Sequence, residues 1–297
     1  MLCLNQWHGK NATMYHGDCV EIARQLPANS IDLSVFSPPF ANLYTYSDSA
    51  RDMGNCADDD SFLEQYRFLA EQLTRILRPG RNIAVHCCDL PSFKWKHGYI
   101  GFRDFPGELI KIHTEAGLVY HSRVTIWKDP VTEMQRTKAH GLLYKTIQGD
   151  AARNRVGNPD YLLIFHKPGN EDDNEVKVTH TPVDFPLDQW QEWASPVWMT
   201  VDQQNTLNGR VAREDADERH ICPLQLDVIE RAIKLYTNPG EVVFSPFGGV
   251  GSEGVGAITY GRKFVGCELK ESYFNTAVEN LRNADDPPQM SLFGGAI

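Results

Sequence analysis

No apolar run in this chain approaches the roughly 18 residues that a membrane-spanning helix needs, and nothing basic followed by a long apolar core opens it. Its first stretch, Met1-Leu2-Cys3-Leu4-Asn5-Gln6-Trp7-His8, therefore does not read as a secretion signal, and a cytoplasmic protein is expected. Cys-x-x-Cys spacing is also missing. The 7 cysteines are odd in number and include the adjacent pair Cys87 and Cys88, which argues against a disulfide framework and a zinc site. His86, Cys87, Cys88 and Asp89 follow one another on a strand pattern, so their side chains alternate between faces and cannot converge on an ion; core packing is the expectation there, and no metal. Positive charge is scarce overall: 29 Lys and Arg stand against 39 Asp and Glu, for a net charge of −10. That excludes a protein that coats nucleic acid with its whole surface, although a local basic face can dominate binding within a Debye length of about 10 Å.

What is present is ordinary for a globular protein. The 297 residues are 41% hydrophobic and 23% charged, enough for one large α/β domain with an insertion. Strand-length apolar runs occur at Thr13 to Asp18, Ile31 to Phe36, Ile83 to Cys88, Leu118 to Lys128, Tyr161 to Phe165, Glu241 to Phe247 and Lys263 to Cys267. Helical patterns separate most of them: Cys19 to Leu26, Ser61 to Leu77 with Asp60 as cap and Arg78-Pro79-Gly80 as stop, Pro106 to Glu115, a helix that follows the Gly248 to Gly254 turn and runs to about Tyr260, and Glu271 to Arg282. The alternation predicts a mostly parallel sheet with helices on its faces.

Charge is uneven along the chain. Between His121 and Lys167 the basic residues Arg123, Lys128, Arg136, Lys138, Lys145, Arg153, Arg155 and Lys167 outnumber Asp129, Glu133, Asp150 and Asp160. The segment from Pro168 to Glu218 is acidic and read as solvated loop; its Trp190, Trp193 and Trp198 are expected to anchor that loop to the body rather than to stack on a ligand.

The run Ile31 to Phe36 ends in Ser37-Pro38-Pro39-Phe40. Two prolines stop both ladder and helix, so the chain turns out over the sheet edge, where ligands bind in open α/β sheets. That rigid turn would present a hydroxyl, a proline carbonyl and an aromatic face to a small planar substrate. The tetrapeptide resembles motif IV of the DNA amino-methyltransferases, which move a methyl group from S-adenosylmethionine to an exocyclic base nitrogen. In that family Ser-Pro-Pro-aromatic is more usual for N4-cytosine enzymes and Asp-Pro-Pro-aromatic for N6-adenine enzymes. Near the carboxyl end, Ser245-Pro246-Phe247-Gly248-Gly249-Val250-Gly251 followed by Gly266-Cys267-Glu268 resembles the family's motifs I and II, and Asp217 to Gln225 resembles motif X. Gly249-x-Gly251-x-x-Gly254 with a later acid also satisfies a dinucleotide fingerprint, but too little chain follows it for a second nucleotide half and a substrate domain.

The resemblance implies a Rossmann-like α/β methyltransferase fold, a mostly parallel seven-stranded sheet with an antiparallel edge hairpin, in the circularly permuted order that puts the catalytic strand before the cofactor strand. It implies a catalytic half over 1–128, a target-recognition insertion and loops over 129–218 with a return strand at 160–166, a cofactor half over 219–283 and a flexible tail over 284–297. Ser37, Pro38, Pro39 and Phe40 would hold the base. Asp18, His220, Pro223, Ser245, Phe247, Gly249, Gly251 and Glu268 would hold S-adenosyl-L-methionine, Asp18 with a helix-cap role as its alternative and Glu268 on the ribose. Ser245 departs from the common aspartate. Tyr44, Tyr46 and Arg51, in a polar stretch read as a lid with a disordered connector as the alternative, would contact double-stranded DNA together with Trp127, Lys128, Arg136, Lys138, Lys145, Arg153 and Arg155; a core tryptophan is the plain alternative for Trp127. No proton acceptor is identified, since serine is a weak base. The tail's Gln289-Met290-Ser291-Leu292-Phe293 resembles the peptide with which bacterial replication proteins dock on the sliding clamp. The activity expected is N4-cytosine methylation of DNA by base flipping, with N6-adenine methylation as the alternative and a non-catalytic, clamp-associated DNA-binding protein as the alternative of another class.

Overall fold

The computed structural model describes residues 3–40, 52–56, 58–92, 94–137, 143–153, 156–169, 176–207 and 223–286. The chain opens with β1 (Cys3–His8), β2 (Ala12–Gly17), α1 (Cys19–Gln25), β3 (Ile31–Phe36), α2 (Asp59–Ile76) and β4 (Leu77–Cys87). A small hairpin of β5 (Leu90–Ser92) and β6 (Gly101–Arg103) encloses α3 (Lys94–His97), and α4 (Phe105–Glu115) and β7 (Val119–Ile126) follow. Short helices α5 (Pro130–Thr137) and α6 (Tyr144–Asp150) precede β8 (Asp160–His166); α7 (Leu187–Trp193) and β9 (Val197–Trp198) come next. The last part is α8 (Leu226–Tyr236), β10 (Val242–Ser245), α9 (Ser252–Thr259), β11 (Lys263–Glu268) and α10 (Glu271–Asp285).

Strand β3 is buried at all of its positions, and the reason is that both faces are covered. Ile31 and Phe36 pack with α1, α2 and α4 through Ile22, Phe62, Leu69 and Leu109. Leu33 and Val35 pack with α8, α9 and α10 through Ile229, Ala257 and Ala277. The result is a sheet between two helical layers. Its order is β1-β2-β11-β10-β3-β4-β8-β7-β9. The run from β2 to β4 is parallel throughout, and β8 lies antiparallel between β4 and β7. That core of seven is the expected mostly parallel sheet with its antiparallel hairpin. Two further strands extend it: β1 antiparallel on β2, and β9 parallel on β7. Neither carries a strong sequence signal, because β1 is mostly exposed and β9 is 2 residues long.

Boundaries moved where capping or pairing outweighed local pattern. The cap of α2 is Asp58, which accepts from Ser61 N at 2.8 Å, rather than Asp60. Arg78-Pro79-Gly80 ends the helix, but the chain passes directly into β4. Leu77 already pairs with Ile31, the ladder slips over the proline before resuming at Asn82 opposite Leu33, and Gly80 takes the left-handed φ of 75°. The acidic loop is tied down as expected by two of its tryptophans. Trp198 is buried and donates from Nε1 to Trp193 O at 3.0 Å, and the Arg231 guanidinium lies over both rings at 4.9 and 5.4 Å. Trp190 stays exposed. No helix among the described residues is long and apolar enough to cross a membrane.

Two buried polar side chains on β3 join it to its neighbours. Asp32 accepts from Val242 N at 2.8 Å and from Arg78 at 2.8 Å, with Arg81 at 3.8 Å and in turn paired to Glu241. Ser34 donates to Phe244 O at 3.1 Å. Asp32→Ala leaves the buried Arg81 with one partner and Val242 N with none, and it is expected to cost about 3–5 kcal/mol in urea unfolding, with Asp32→Asn losing less. A loss below about 1 kcal/mol for the alanine variant would show that the network is dispensable.

Candidate active site

Because β3 and β10 are adjacent and parallel, the turns that follow them leave the same edge of the sheet. Ser37, Pro38, Pro39 and Phe40 on one side and Pro246, Phe247, Gly248 and Gly249 on the other line one cleft, of about 1130 Å³ with the solvent at its mouth included. Asp18, Pro223 and Glu268 line it too, so the structure brings together most of the residues the sequence singled out for base and cofactor, and none of the described residues singled out for DNA. Phe40 is fixed by an edge contact to Phe105, ring centroids 6.4 Å apart. Gly251 shapes the turn from behind: it caps α9 with φ 89°, and a side chain there would meet the backbone of Ala277 at 3.3 Å. Ser245 is fully buried at the end of β10, outside the cleft lining, and its hydroxyl has no hydrogen-bond partner among the described residues.

His220, Tyr44, Tyr46, Arg51, Lys138, Arg155 and Gln289–Phe293 lie outside the described residues. Arg136 falls in α5, Arg153 in the short turn Ala151–Arg153, and Lys145 is exposed on α6. Trp127 is not a core residue: it is 41% exposed just past β7, where its backbone N–H donates to Trp198 O. It does not line the cleft.

Lys128 is a correction. Its ammonium is buried against Asp160, Nζ to Oδ1 2.5 Å, and is not displayed for a phosphate. The same Asp160 stands beside His86, which is buried as expected and has polar partners as well. His86 Nε2 lies 3.3 Å from Asp160 Oδ2, and His86 Nδ1 shares a hydrogen bond of 3.2 Å with Ser37 Oγ. The four residues form a line, Ser37 to His86 to Asp160 to Lys128, made possible because β4 sits between β3 and β8. Burial pushes the Asp160 carboxyl up, but Lys128 and His86 outweigh it and hold the group at about 2. It is therefore a fixed negative charge behind the imidazole. No local pattern could have announced this: the members come from four places in the chain, and only the sheet order joins them.

The remaining charge in the cleft is acidic. Asp18 accepts from Glu21 N at 3.0 Å, so its helix-capping role and its place in the cleft coexist. Asp52 accepts from Gly54 N at 2.8 Å. Glu268 accepts from Gly249 N at 2.9 Å and Lys270 N at 2.8 Å; burial, with Asp52 adding, still pushes it up to about 7. Glu253, in the first turn of α9, is buried and pushed up to about 8 by that burial, with Glu268 adding. The sequence reading missed Asp52 and Glu253 as site residues. No Lys, Arg or His is among the described residues lining the cleft.

These features fit S-adenosyl-L-methionine. An acid set without a cation suits a sulfonium. The backbone at Gly248 is packed so closely that a side chain would meet Met14 Cε at 2.5 Å and Cys267 O at 3.1 Å. The Gly249 amide and the Glu268 carboxylate meet at the cleft wall, at the ends of the adjacent strands β10 and β11.

The raised carboxyls make the free protein's stability depend on pH. Glu253 and Glu268 bind protons more tightly folded than unfolded, where the carboxyl value is about 4.3, so stability is lost as pH rises through the window from about 4.5 to 8. Without cofactor, Glu253→Gln should melt with the wild type at pH 5 and about 2–4 °C higher or more at pH 8 in a thermal scan. Superimposable pH profiles for the two proteins would refute the assignment.

Comparison with known proteins places this geometry. Residues 31–279 match the model of the N6/N4 DNA methylase family. The type II methyltransferase M.BglII of Bacillus subtilis is 25% identical over 288 residues, which cover 92% of this chain and 69% of that one. M.BamHI of Bacillus amyloliquefaciens is 24% identical, with 57% of its length covered. YhdJ of Escherichia coli K12, named a DNA adenine methyltransferase, is 22% identical over 91% of this chain and 82% of its own. Among solved structures, TTHA0409 of Thermus thermophilus in complex with S-adenosyl-L-methionine superposes with a TM-score of 0.66 at 17% identity, covering 92% of this chain and 96% of that one. The cytosine-N4-specific PvuII DNA methyltransferase gives 0.63 at 16%, covering 93% and 92%. The family match runs from β3 to α10 and takes in both turns of the cleft, and the chain belongs to the N6/N4 family of S-adenosyl-L-methionine-dependent DNA methyltransferases.

Proposed function

We propose that this DNA methyltransferase modifies the N4 amino group of cytosine. The observation that carries the reading is the residue at the head of the Pro-Pro-Phe turn: a serine, not a carboxylate, hydrogen-bonded to a histidine that is itself backed by a buried aspartate. The names of relatives do not separate the two bases, since the PvuII enzyme is cytosine-N4-specific and YhdJ is an adenine enzyme. N6-adenine methylation is therefore kept as the second reading.

An exocyclic amine is a poor nucleophile because its lone pair is delocalised into the ring. Ser37 Oγ and the Pro38 carbonyl would accept its two hydrogens and favour a pyramidal nitrogen, while Phe40, held by Phe105, supplies a stacking face. When bound, S-adenosyl-L-methionine supplies an electrophilic methyl on a sulfonium. Glu268 and the Gly249 amide would hold the ribose. Serine alone cannot keep the proton that the methylated amine must shed. His86 can: as Ser37 Oγ takes that proton, it passes its own to His86 Nδ1, and the imidazolium is stabilised by Asp160, which Lys128 keeps ionised. Extruding the base costs a few kcal/mol, partly offset by stacking of about 1–3 kcal/mol.

The stretch 129–218 is assigned to target recognition. Trp127, exposed beside the sheet end, and Lys145, exposed on α6, support a DNA-facing surface there, with Arg136 and Arg153 on the same segment. The motif residues Ser37, Phe40, Gly249, Gly251 and Glu268 are all present, which disfavours a protein that only binds DNA. The tail peptide Gln289–Phe293 is assigned to docking on a bacterial sliding clamp by its resemblance to clamp-binding peptides; deleting Gln289–Ile297 should abolish binding to purified clamp, and unchanged binding would dismiss it.

Incubating DNA with methyl-labelled cofactor and digesting to nucleosides should give N4-methylcytosine. N6-methyladenine would select the second reading, and no labelled nucleoside would select the binding-only protein. In the same assay His86→Asn should lower kcat about 10²–10⁴-fold with cofactor affinity kept. A variant with normal kcat would remove His86 from the proton route.

A further inference from the structure

We propose that Glu253 is the charge-sensing carboxylate of the cofactor cleft: it ionises against the positive charge of the methyl donor and so separates S-adenosylmethionine from its demethylated product, S-adenosylhomocysteine, whose sulfur is neutral. The inference concerns the cofactor alone and is independent of which base is methylated.

Four acids line the cleft, and three have structural tasks. Asp18 caps α1, Asp52 closes the turn at Gly54, and Glu268 bridges the Gly249 and Lys270 amides. Glu253 is different. It is 5% exposed and lines the cleft; its carboxyl accepts from its own backbone N–H, and among the described residues no side-chain donor or cation pairs with it. Its position in the first turn of α9 should favour the ionised form through the helix dipole. Burial wins instead, and the group is pushed up to about 8, so in the free protein near neutral pH it is mostly the neutral acid. A buried carboxyl in that state gains by ionising only when a cation arrives beside it.

Among the described residues, none on the surrounding elements supplies that cation. On β11, Glu268 opposes ionisation. On β10, Ser245 offers a hydroxyl with no partner among the described residues. On α8, Arg231 is engaged with Glu192, Lys234 with Glu230, and Asp227 accepts from Asp202 N and Asn205. On α10, Asp285 holds Asn11, while Glu271, Glu279 and Arg282 do not line the cleft, and neither does Lys263 of β11; Lys270, just before α10, places its ammonium over the Tyr273 ring at 4.4 Å and does not line the cleft either. The methyl donor and its product share the ammonium and carboxylate of their methionine end. They differ by the single charge on sulfur, which is the charge that methyl transfer removes.

Calorimetry on the full chain tests this, with S-adenosylmethionine and S-adenosylhomocysteine each titrated in buffers of different ionisation enthalpy. At pH 7 the methyl donor should release close to one proton more than the product does. The ratio of the product's Kd to the donor's should rise about tenfold between pH 7 and 9, once each free ligand's ammonium titration, lower in the donor because of its sulfonium, is measured separately and subtracted. In Glu253→Gln, with folding checked by its melting curve, the extra proton should vanish and the ratio should stay level across that range. Equal proton release for the two wild-type titrations would overturn the proposal without needing the variant. A Glu253→Gln protein that keeps the wild-type pH slope would overturn it as well and would move the titrating group to Glu268.

Discussion

The parallel pairing of β3 with β10 is what the site depends on. Val243 lies opposite Leu33 and Phe244 opposite Ser34, and the Asp32 carboxylate and Ser34 hydroxyl tie the two strands together across the ladder. Segments about two hundred residues apart thereby end side by side at one sheet edge. Neither turn would be a site alone. The Pro-Pro turn has no methyl donor to face, and the glycine turn has no base. The permuted chain order is harmless for the same reason: parallel strands are placed by their ladders, not by their order along the chain.

The two halves of the cleft use charge in opposite ways. Around Ser37 the structure builds a line that ends in a neutralised ion pair, Asp160 with Lys128, so the imidazole of His86 meets a carboxylate whose ionisation is secured. Around Gly249 it collects carboxyls and leaves them without a cation, so that burial raises two of them toward neutral pH. The first arrangement suits accepting a proton. The second suits receiving a cationic cofactor and sensing when its charge has gone. A chain of net charge −10 can therefore hold a DNA-modifying site, since the acidity that would repel a phosphate backbone is partly placed inside the cleft.

Much of the fold was legible because buried parallel strands are written as short apolar runs. Ile31–Phe36 was read to the residue, and β8, β11 and α4 to within one or two. The reading failed where long-range pairing decided the outcome. Nothing in Cys3–His8 demands a strand; the open edge of β2 recruits it. Val197–Trp198 becomes β9 because burying Trp198 against Arg231 brings that backbone alongside β7. Lys128 reads as one more cation of a basic segment, and only the neighbouring β8 shows that Asp160 has claimed it.

By itself the sequence determined the chemistry available: two rigid turns, one carrying Ser37 and Phe40 and the other carrying close-packed glycines before Glu268, each specified by residues a few positions apart whose backbone limits are local. Tertiary structure alone decided which groups act together. His86 stands behind Ser37, Asp160 behind His86 and Glu253 beneath the cleft because sheet order and helix packing set distances between residues that the chain keeps far apart. The physical reason is that a strand's hydrogen bonds fix its neighbours, whereas its sequence fixes only its burial.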